Sequence, residues 1–230
     1  MKRSEINTIM RDADAFIKDR GFYLPPFAYW TPEEWCNRGE EVREIVENHL
    51  GWDITDFGLG NYLRYGLVLF TVRNGNPANL ITMRGKIYAE KLMIVDENQV
   101  TPMHFHWSKM EDIINRGGGD LVVEVHNPTP EGNLATSNVT VSVDSVSQIV
   151  PAGTRIVLEP GQSMSVPVGM YHEFTARAGR VLVGEVSMVN DDDTDNRFLG
   201  QVGRFPAIQE DEPPLYLLCT DYNKFYHPRI

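Results

Sequence analysis

The 230-residue sequence is poor in cysteine, lacks long apolar runs and has too little positive charge to balance its acids. Lys and Arg total 21 against 32 Asp and Glu, which gives a formal net charge of −11. Because nucleic acids and anionic membrane surfaces are bound through basic patches, this deficit argues against both as partners. No stretch approaches the ~18 consecutive apolar residues that a membrane-spanning helix needs, so no membrane association is expected.

The two cysteines, Cys36 and Cys219, are too few for a disulfide framework, although a count alone leaves one bridge open. The first residues, Met-Lys-Arg-Ser-Glu, lead into a mixed polar segment without the apolar core of a secretory signal. We therefore expect a cytoplasmic protein with reduced thiols.

Residues 1–50 have the patterns of helices. Apolar residues between positions 6 and 17 recur at three-and-four spacing and form one stripe. Thr31, Pro32 and Glu34 combine an N-cap, a first-turn proline and a third-position acid, which predicts a helix start. A second apolar stripe follows Gly39 and ends at Gly51. We expect residues 1–63 to form a helical extension packed on the remainder of the chain.

From residue 64 the sequence consists of short β-like runs separated by Gly, Pro and Asn turns. So many strands without intervening helices predict a mainly β protein, with a double-sheet jelly-roll barrel over residues 64–203. Residues 204–230, rich in Pro and aromatics, are expected to wrap over the barrel without much regular structure, within one structural domain. The predicted strands are 67–72, 86–95, 100–106, 121–126, 139–143, 154–158, 163–166, 172–176 and 181–189.

Three histidines and one glutamate are the candidate metal ligands. His104 and His106 lie on one face of a strand because side chains alternate, and His172 comes from a distant strand. Strand parity sends Glu111 to the opposite face, so a kink or bulge near residues 107–110 is needed to turn it inward. Imidazoles with one carboxylate suit borderline divalent ions such as Mn, Fe, Co, Ni or Zn. On an octahedral ion, four protein ligands leave two positions for substrate oxygens.

The same residues match the two motifs of the cupin superfamily, G-x5-H-x-H-x3–4-E-x6-G and G-x5-P-x-G-x2-H-x3-N. Asn98 stands where the opening glycine is expected and Ala176 where the final asparagine is expected, and neither is a ligand position. The resemblance implies the double-stranded β-helix barrel of cupins. The matching positions are His104, His106, Glu111, Gly118, Gly161, Pro167, Gly169 and His172.

Several charged residues near these motifs are candidates for chemistry. Glu185 lies in an otherwise apolar strand, where burying a carboxylate is costly unless it is paired, and it is either outward-facing or a general base inside the barrel. Either Glu90 or Lys91 must face inward on its strand, and Lys109 lies between two ligand positions. Asp195 and Arg197 follow the Glu185 strand and could cover the mouth of the site. The acidic run 191–195 is otherwise typical of a solvated loop.

Beyond the cupin motifs, the chain resembles the bacterial D-lyxose ketol-isomerases from its first residues to about Cys219. The resemblance implies manganese-dependent interconversion of D-lyxose with D-xylulose and of D-mannose with D-fructose, by a cytoplasmic homodimer. The segments that carry it are 2–7 (Lys-Arg-Ser-Glu-Ile-Asn), 24–30 (Leu-Pro-Pro-Phe-Ala-Tyr-Trp), 51–58 (Gly-Trp-Asp-Ile-Thr-Asp-Phe-Gly), 89–95 (Ala-Glu-Lys-Leu-Met-Ile-Val) and 184–190 (Gly-Glu-Val-Ser-Met-Val-Asn).

For such a reaction, Glu185 and Lys109 are the candidate proton-transfer residues, and Lys91, Asp195 and Arg197 are candidate binders of sugar hydroxyls. The same four ligands also serve an iron-dependent cupin dioxygenase or a metal-stabilised binding cupin without catalysis. Glu185 and the lysines favour proton transfer over oxygen chemistry.

Overall fold

The computed structural model describes residues 1–228, and the last two residues of the predicted tail, 229 and 230, lie outside the described residues. Its α-helices are α1 (Arg3–Asp19), α2 (Pro32–Cys36), α3 (Arg43–Glu47), α4 (Asn79–Thr82) and α5 (Tyr222–Phe225), with 3-10 turns at Pro26–Tyr29, Glu40–Val42 and Cys219–Asp221. Its strands are β1 (Gly51–Thr55), β2 (Leu67–Arg73), β3 (Tyr88–Val95), β4 (Val100–His106), β5 (Glu111–His126), β6 (Val139–Val143), β7 (Val146–Val150), β8 (Thr154–Leu158), β9 (Ser163–Val166), β10 (Tyr171–Met188) and β11 (Asn196–Phe198).

The strands pair antiparallel around two long central strands, β5 and β10. They run side by side from Tyr171–His126 to Ser187–Glu111, with two breaks in register, and each also pairs with other strands. The first half of β10 also pairs with β4, and its second half pairs with β3. Likewise β5 pairs with β9 at one end and with β8 at the other. This arrangement confirms the predicted mainly β barrel with an N-terminal helix.

Two long strands were predicted in pieces. The prediction for residues 121–126 covers only the end of β5, because glycines 117–119 were interpreted as a turn. The predicted strands 172–176 and 181–189 are one strand, β10, with a break in pairing register between Arg177 and Val181. At that irregularity Ala178 and Gly179 have φ of 59° and 115°. The strands β1, β7 and β11 were not predicted.

The barrel wall is buried on both faces. In β3, Met93 and Val95 belong to the interior cluster, whereas Leu92 and Ile94 belong to an outer cluster beneath α1. The strand β2 divides its residues between the two clusters in the same way. Because helix α1 covers the outer face, these strands are apolar on both sides rather than alternating with polar residues. The α1 residues that contact this face are Ile6, Met10, Ala13 and Ile17.

The N-terminal extension contains helices, as predicted, and the cap at Thr31 is confirmed: its hydroxyl accepts from the amide of Glu34. It also contains β1, which adds to the sheet by pairing with β2. The domain boundaries at residues 63 and 203 stay predictions. Among residues 1–228, no helix combines the length and apolar character that crossing a membrane requires.

The N-terminal helix is joined to the C-terminal segment by a buried arginine. Arg3 is 1% exposed, and its guanidinium donates twice to Asp221 at 2.9 Å and twice to Glu210 at 2.8 Å. Asp221 is also buried, whereas Glu210 is half exposed. Removal of the arginine therefore leaves the buried Asp221 carboxylate with only a longer contact to the exposed Lys224, whose Nζ lies 3.6 Å from Oδ1.

We expect Arg3→Met to lower the free energy of unfolding by roughly 3 kcal/mol, because removing one partner of a buried pair leaves the other uncompensated. Urea unfolding at pH 7 measures the change. The matched control is Arg177→Met, which removes an exposed arginine paired with Asp120 and should cost less than about 1 kcal/mol. Equal losses in the two variants would show that the Arg3 pair contributes no more than a surface pair.

Candidate metal centre and proton-transfer site

Two neighbouring strands bring three histidine side chains together inside the barrel. His104 and His106 lie on β4, and His172 on β10 is directly paired with His104. Their candidate ligand nitrogens all lie within 4.8 Å of one another, and the three residues are buried. Alternation along β4 and antiparallel pairing with β10 are sufficient to produce this cluster.

Backbone carbonyls orient two of the rings. The Nδ1 of His104 lies 2.8 Å from the carbonyl of Pro102, and the Nδ1 of His172 lies 3.1 Å from that of Met170. A ring that donates from Nδ1 leaves the Nε2 lone pair free for a metal. Burial and the neighbouring imidazoles hold the pKa of His104 well below its usual range, so that ring is neutral. Neutral imidazole is the form that binds metals.

Glu111, the fourth predicted ligand, lies beside the histidines, although by a different route from the one expected. The prediction was a kink or bulge that re-aims a residue of one strand. Instead β4 ends at His106, the chain turns through residues 107–110, and Glu111 is the first residue of β5. Its Oε1 lies 3.3 Å from Nε2 of His106 and 3.2 Å from Nε2 of His172. Because the two residues are on different strands, their spacing in sequence does not determine which face each occupies.

The geometry fits a divalent ion. Among the described residues, Nε2 of His106 and Nε2 of His172 have no hydrogen-bond partner although both are buried. Leaving buried polar atoms without partners is costly, and coordination to a metal would satisfy them. Glu111 is ionised: burial raises the pKa of its carboxyl, but Lys109 and His106 lower it more, to well below its usual range. Three imidazoles and a carboxylate match borderline divalent ions.

The motif positions that are not ligands have conformational roles. Asn98, which replaces the first glycine, has φ of 72°, a left-handed conformation that Asn tolerates better than most residues. Gly118 has φ of 111°, and a Cβ there would lie 2.1 Å from the carbonyl oxygen of Arg180. Asn98 therefore substitutes for its glycine, whereas a side chain at position 118 would clash with the neighbouring strand.

A series of buried charges continues from the histidines along the same cavity. The Nζ of Lys109 lies 2.5 Å from Oε2 of Glu111 and donates to Oε1 of Glu185 at 2.9 Å. Glu185 faces Lys91 across the β10–β3 pair, with 3.5 Å between Oε1 and Nζ. Lys91 in turn donates to Asp192 at 2.8 Å. The three sequence-predicted residues Lys91, Lys109 and Glu185 therefore line one cavity with His104, His106 and Glu111.

The hydrogen bonds to the Glu185 carboxylate all reach one of its two oxygens, Oε1. Its Oε1 accepts from Lys109 and, at 2.8 Å, from the hydroxyl of Ser187. Within residues 1–228 no hydrogen bond is made to Oε2. Burial lowers the pKa of Lys109, but Glu111 and Glu185 raise it more, to well above its usual range, so the lysine is charged. Glu185 thus has one anchored oxygen and one free oxygen, the arrangement expected for a positioned base.

The remaining two predicted site residues differ in burial and position. Asp195 is buried and accepts from the amide and hydroxyl of Ser108, at 2.8 and 2.6 Å, and from the amide of Lys109. It therefore positions the turn between β4 and β5. Arg197 is exposed and does not line the cavity. On β11 it pairs with Phe105, so alternation directs it away from the face that carries His104 and His106.

Sequence reasoning missed two charged residues, Asp192 and Arg204, and one hydroxyl, that of Thr101, which line the cavity. Asp192 lies in the acidic run interpreted as a solvated loop, yet it is paired with Lys91. Arg204, from the predicted wrapping segment, pairs with Asp53 of β1. Thr101 lines the cavity on β4. A basic residue within an aromatic, proline-rich segment gives no sequence signal of burial, because its partners come from distant parts of the chain.

The fold is a barrel of the cupin type, and its three buried histidines could bind a metal ion. A model of the D-lyxose isomerase family matches residues 1–222, and the chain belongs to this family. It is 48% identical to the D-lyxose/D-mannose isomerase of Serratia proteamaculans, over 98% of this chain and 99% of that protein. It is 47% identical to the protein of the same name from Escherichia coli O157:H7, over 98% and 100% of the two chains.

Among solved structures, the chain is similar to the L-ribose isomerase of Acinetobacter sp. DL28 in complex with L-ribose. The TM-score is 0.61, with 14% identity, over 91% of this chain and 98% of that one. This likeness supports the fold, including the N-terminal extension, because it covers most of both chains.

We expect His106→Ala to lose most of the divalent ion that the unaltered protein retains after manganese loading and desalting, because one ligand of the set is removed. Elemental analysis measures the ion per chain. His126→Ala is the control, since His126 contacts Glu124 at 3.2 Å outside the cavity. Equal metal content in His106→Ala and the unaltered protein contradicts this ligand assignment.

Proposed function

We propose that the chain is a metal-dependent aldose–ketose isomerase that interconverts D-lyxose and D-xylulose, and D-mannose and D-fructose, through a cis-enediol. One observation carries the proposal: a histidine–carboxylate metal set shares a cavity with a buried carboxylate, Glu185, whose second oxygen is free. The names of the relatives that are nearly half identical supply the substrate class.

The conversion of aldose to ketose moves one proton from C2 to C1 and a second proton from the oxygen on C2 to the oxygen on C1. A divalent ion held by His104, His106, Glu111 and His172 would supply Lewis-acid stabilisation of the negative charge that develops on the sugar oxygens. Glu185 is placed to take the proton from C2 with its free Oε2 and to return it to C1. Its other oxygen stays fixed by Lys109 and Ser187, so the base keeps its orientation in both steps.

Lys109 is the candidate to carry the second proton, giving one to the oxygen on C1 and taking one from the oxygen on C2. It stays charged between two carboxylates and can donate to a sugar oxygen near C1 or C2 while holding Glu185. Lys91, bonded to Asp192, is placed to donate to a hydroxyl further along the sugar. Asp195 is a positioning residue in this proposal: it accepts hydrogen bonds from the amides of Ser108 and Lys109 and so fixes the turn that carries Lys109.

The proposal extends to manganese as the native ion, a cytoplasmic location and a homodimer. The donor set supports a borderline divalent ion, and resemblance to the bacterial D-lyxose ketol-isomerases supports manganese among the candidates. In residues 1–228 both cysteines are free thiols, which fits a reducing compartment. Sedimentation of the purified protein measures the oligomeric state.

The manganese-loaded protein should convert D-lyxose to D-xylulose at the same rate in air and under strict anaerobiosis, because the isomerisation consumes no oxidant. Ketose formation is followed by chromatography, and His106→Ala is the inactive control. A reaction that requires oxygen would instead support the iron-dependent dioxygenase that the same ligand set serves. Turnover of neither D-lyxose nor D-mannose would support a non-catalytic binding cupin.

Glu185→Gln should retain the metal and the fold but lose at least ~100-fold in turnover, because a positioned base contributes about that much. Exchange of the C2 hydrogen of the sugar with solvent deuterium, measured by NMR, should fall in parallel. Glu124→Gln is the matched control, because Glu124 pairs with Arg155 outside the cavity. Near-normal exchange in Glu185→Gln means that another group removes the proton.

A further inference from the structure

The cavity holds a buried arginine with an unused donor. Arg204 lines the cavity, and its Nη2 pairs with Asp53 at 2.5 Å and lies 3.6 Å from Asp192. Its Nη1 is buried and has no hydrogen-bond partner among the described residues. A guanidinium N–H buried without an acceptor is unfavourable, so an acceptor is expected when the cavity is occupied.

The position of Arg204 is fixed by the backbone on both sides. Its carbonyl accepts from the hydroxyl of Thr55 at 2.8 Å, and the amide of Gly203 donates to the carbonyl of Phe57 at 2.9 Å. These two hydrogen bonds hold the backbone at Arg204, and the contacts of Nη2 with Asp53 and Asp192 orient its side chain. A donor fixed in advance loses little conformational entropy when it binds an acceptor.

Arg204 lies at the end of the charged series that begins at the histidines. The series runs from Lys109 to Glu185, Lys91 and Asp192, and Asp192 contacts Arg204. In the proposed reaction, C1 and C2 of the sugar lie near the histidines and Glu185. The other end of an open-chain sugar in the same cavity then points along the series toward Arg204.

The charges around Arg204 favour a neutral acceptor. Two cations, Arg204 and Lys91, are balanced by two anions, Asp53 and Asp192, so this end of the cavity has no net positive charge. A phosphate or carboxylate on the substrate would add uncompensated negative charge. A hydroxyl oxygen accepts a hydrogen bond without that cost, which indicates an unmodified sugar rather than a sugar phosphate or uronic acid.

We propose that Arg204, held by Asp53 and Asp192, donates from Nη1 to the terminal hydroxyl of the open-chain sugar and is a specificity-determining residue. The inference rests on the proposed isomerase function. The terminal hydroxyl is then bound by a residue of the C-terminal segment, which lies outside the two motifs that carry the candidate metal ligands. The same contact discriminates against sugars that lack this hydroxyl, because a buried donor is then left without an acceptor.

The test compares D-lyxose with 5-deoxy-D-lyxose, which lacks only the terminal hydroxyl. For the manganese-loaded unaltered protein, kcat/KM expressed per open-chain sugar, because the deoxy sugar cannot close a six-membered ring, should be about 10- to 100-fold lower for the deoxy sugar, the range of a hydrogen bond to a charged donor. In Arg204→Met/Asp53→Asn, which removes both charges of the pair, the discrimination should fall below about 3-fold. Arg177→Met, which removes a surface arginine, should discriminate as the unaltered protein does.

A second readout does not depend on turnover. The polyol obtained by reducing D-lyxose cannot be isomerised, and calorimetry gives its Kd alongside that of its deoxy analogue in each variant. If the unaltered protein isomerises D-lyxose but handles the two sugars, or binds the two polyols, equally well, the Arg204 assignment is overturned while the isomerase function stands. If it isomerises no aldose but the polyols show the Arg204-dependent difference, the isomerase function fails and the hydroxyl contact stands.

Folding of the variants is checked by circular dichroism and metal content. Should the double variant fail to fold, Arg204→Lys retains the charge but presents a single donor group of different geometry, and it should lose most of the discrimination. The comparison of the two sugars on the unaltered protein needs no variant. Equal kcat/KM values per open-chain sugar, or equal Kd values for the two polyols, which have no ring forms, overturn the assignment by themselves.

Discussion

The antiparallel pairing of β10 is the constraint on which the site depends. Its first half places His172 opposite His104 of β4, its second half places Glu185 opposite Lys91 of β3, and its whole length pairs with β5, whose first residue is Glu111. A slip of β10 by one residue in this register would turn His172 and Glu185 to the other face, away from their partners on β3, β4 and β5. The candidate metal ligands and Glu185 are therefore positioned by one strand and its neighbours, whose backbone hydrogen bonds set their separation, whereas Lys109 is positioned by the turn that Asp195 holds.

The barrel can hold so many buried charges because they are arranged in alternation. From Glu111 the series passes through Lys109, Glu185, Lys91 and Asp192 to Arg204, so each charge has an opposite neighbour within 3.6 Å. Isolated buried charges would be prohibitively costly, whereas paired ones are tolerated at some expense in stability. The apolar wall, buried beneath α1 on its outer face, provides the surrounding stability. The packing of α1 on the barrel wall thus offsets part of the free-energy cost of burying these charges.

The sequence was sufficient for the features that depend on local periodicity. Strand alternation and motif spacing identified His104, His106 and His172, and apolar spacing identified the buried face of α1. Features that depend on distant contacts were not accessible. Arg204 and Asp53 are 151 positions apart, which no local pattern relates. Arg197 was misplaced because its strand, only three residues long, was not recognised and its parity could not be assigned.

The two ends of the cavity have different origins in the chain. The end with the histidines is built from β4, β5 and β10, the strands that form the barrel itself. The opposite end is built from Asp53 of β1, from Asp192 and from Arg204, all of them outside the strands that carry the metal ligands. Substitutions at this second end leave the ligand strands intact. In the proposed reaction, substitutions at this end can therefore alter how the far end of the sugar is bound while the strands that carry the histidines stay unchanged.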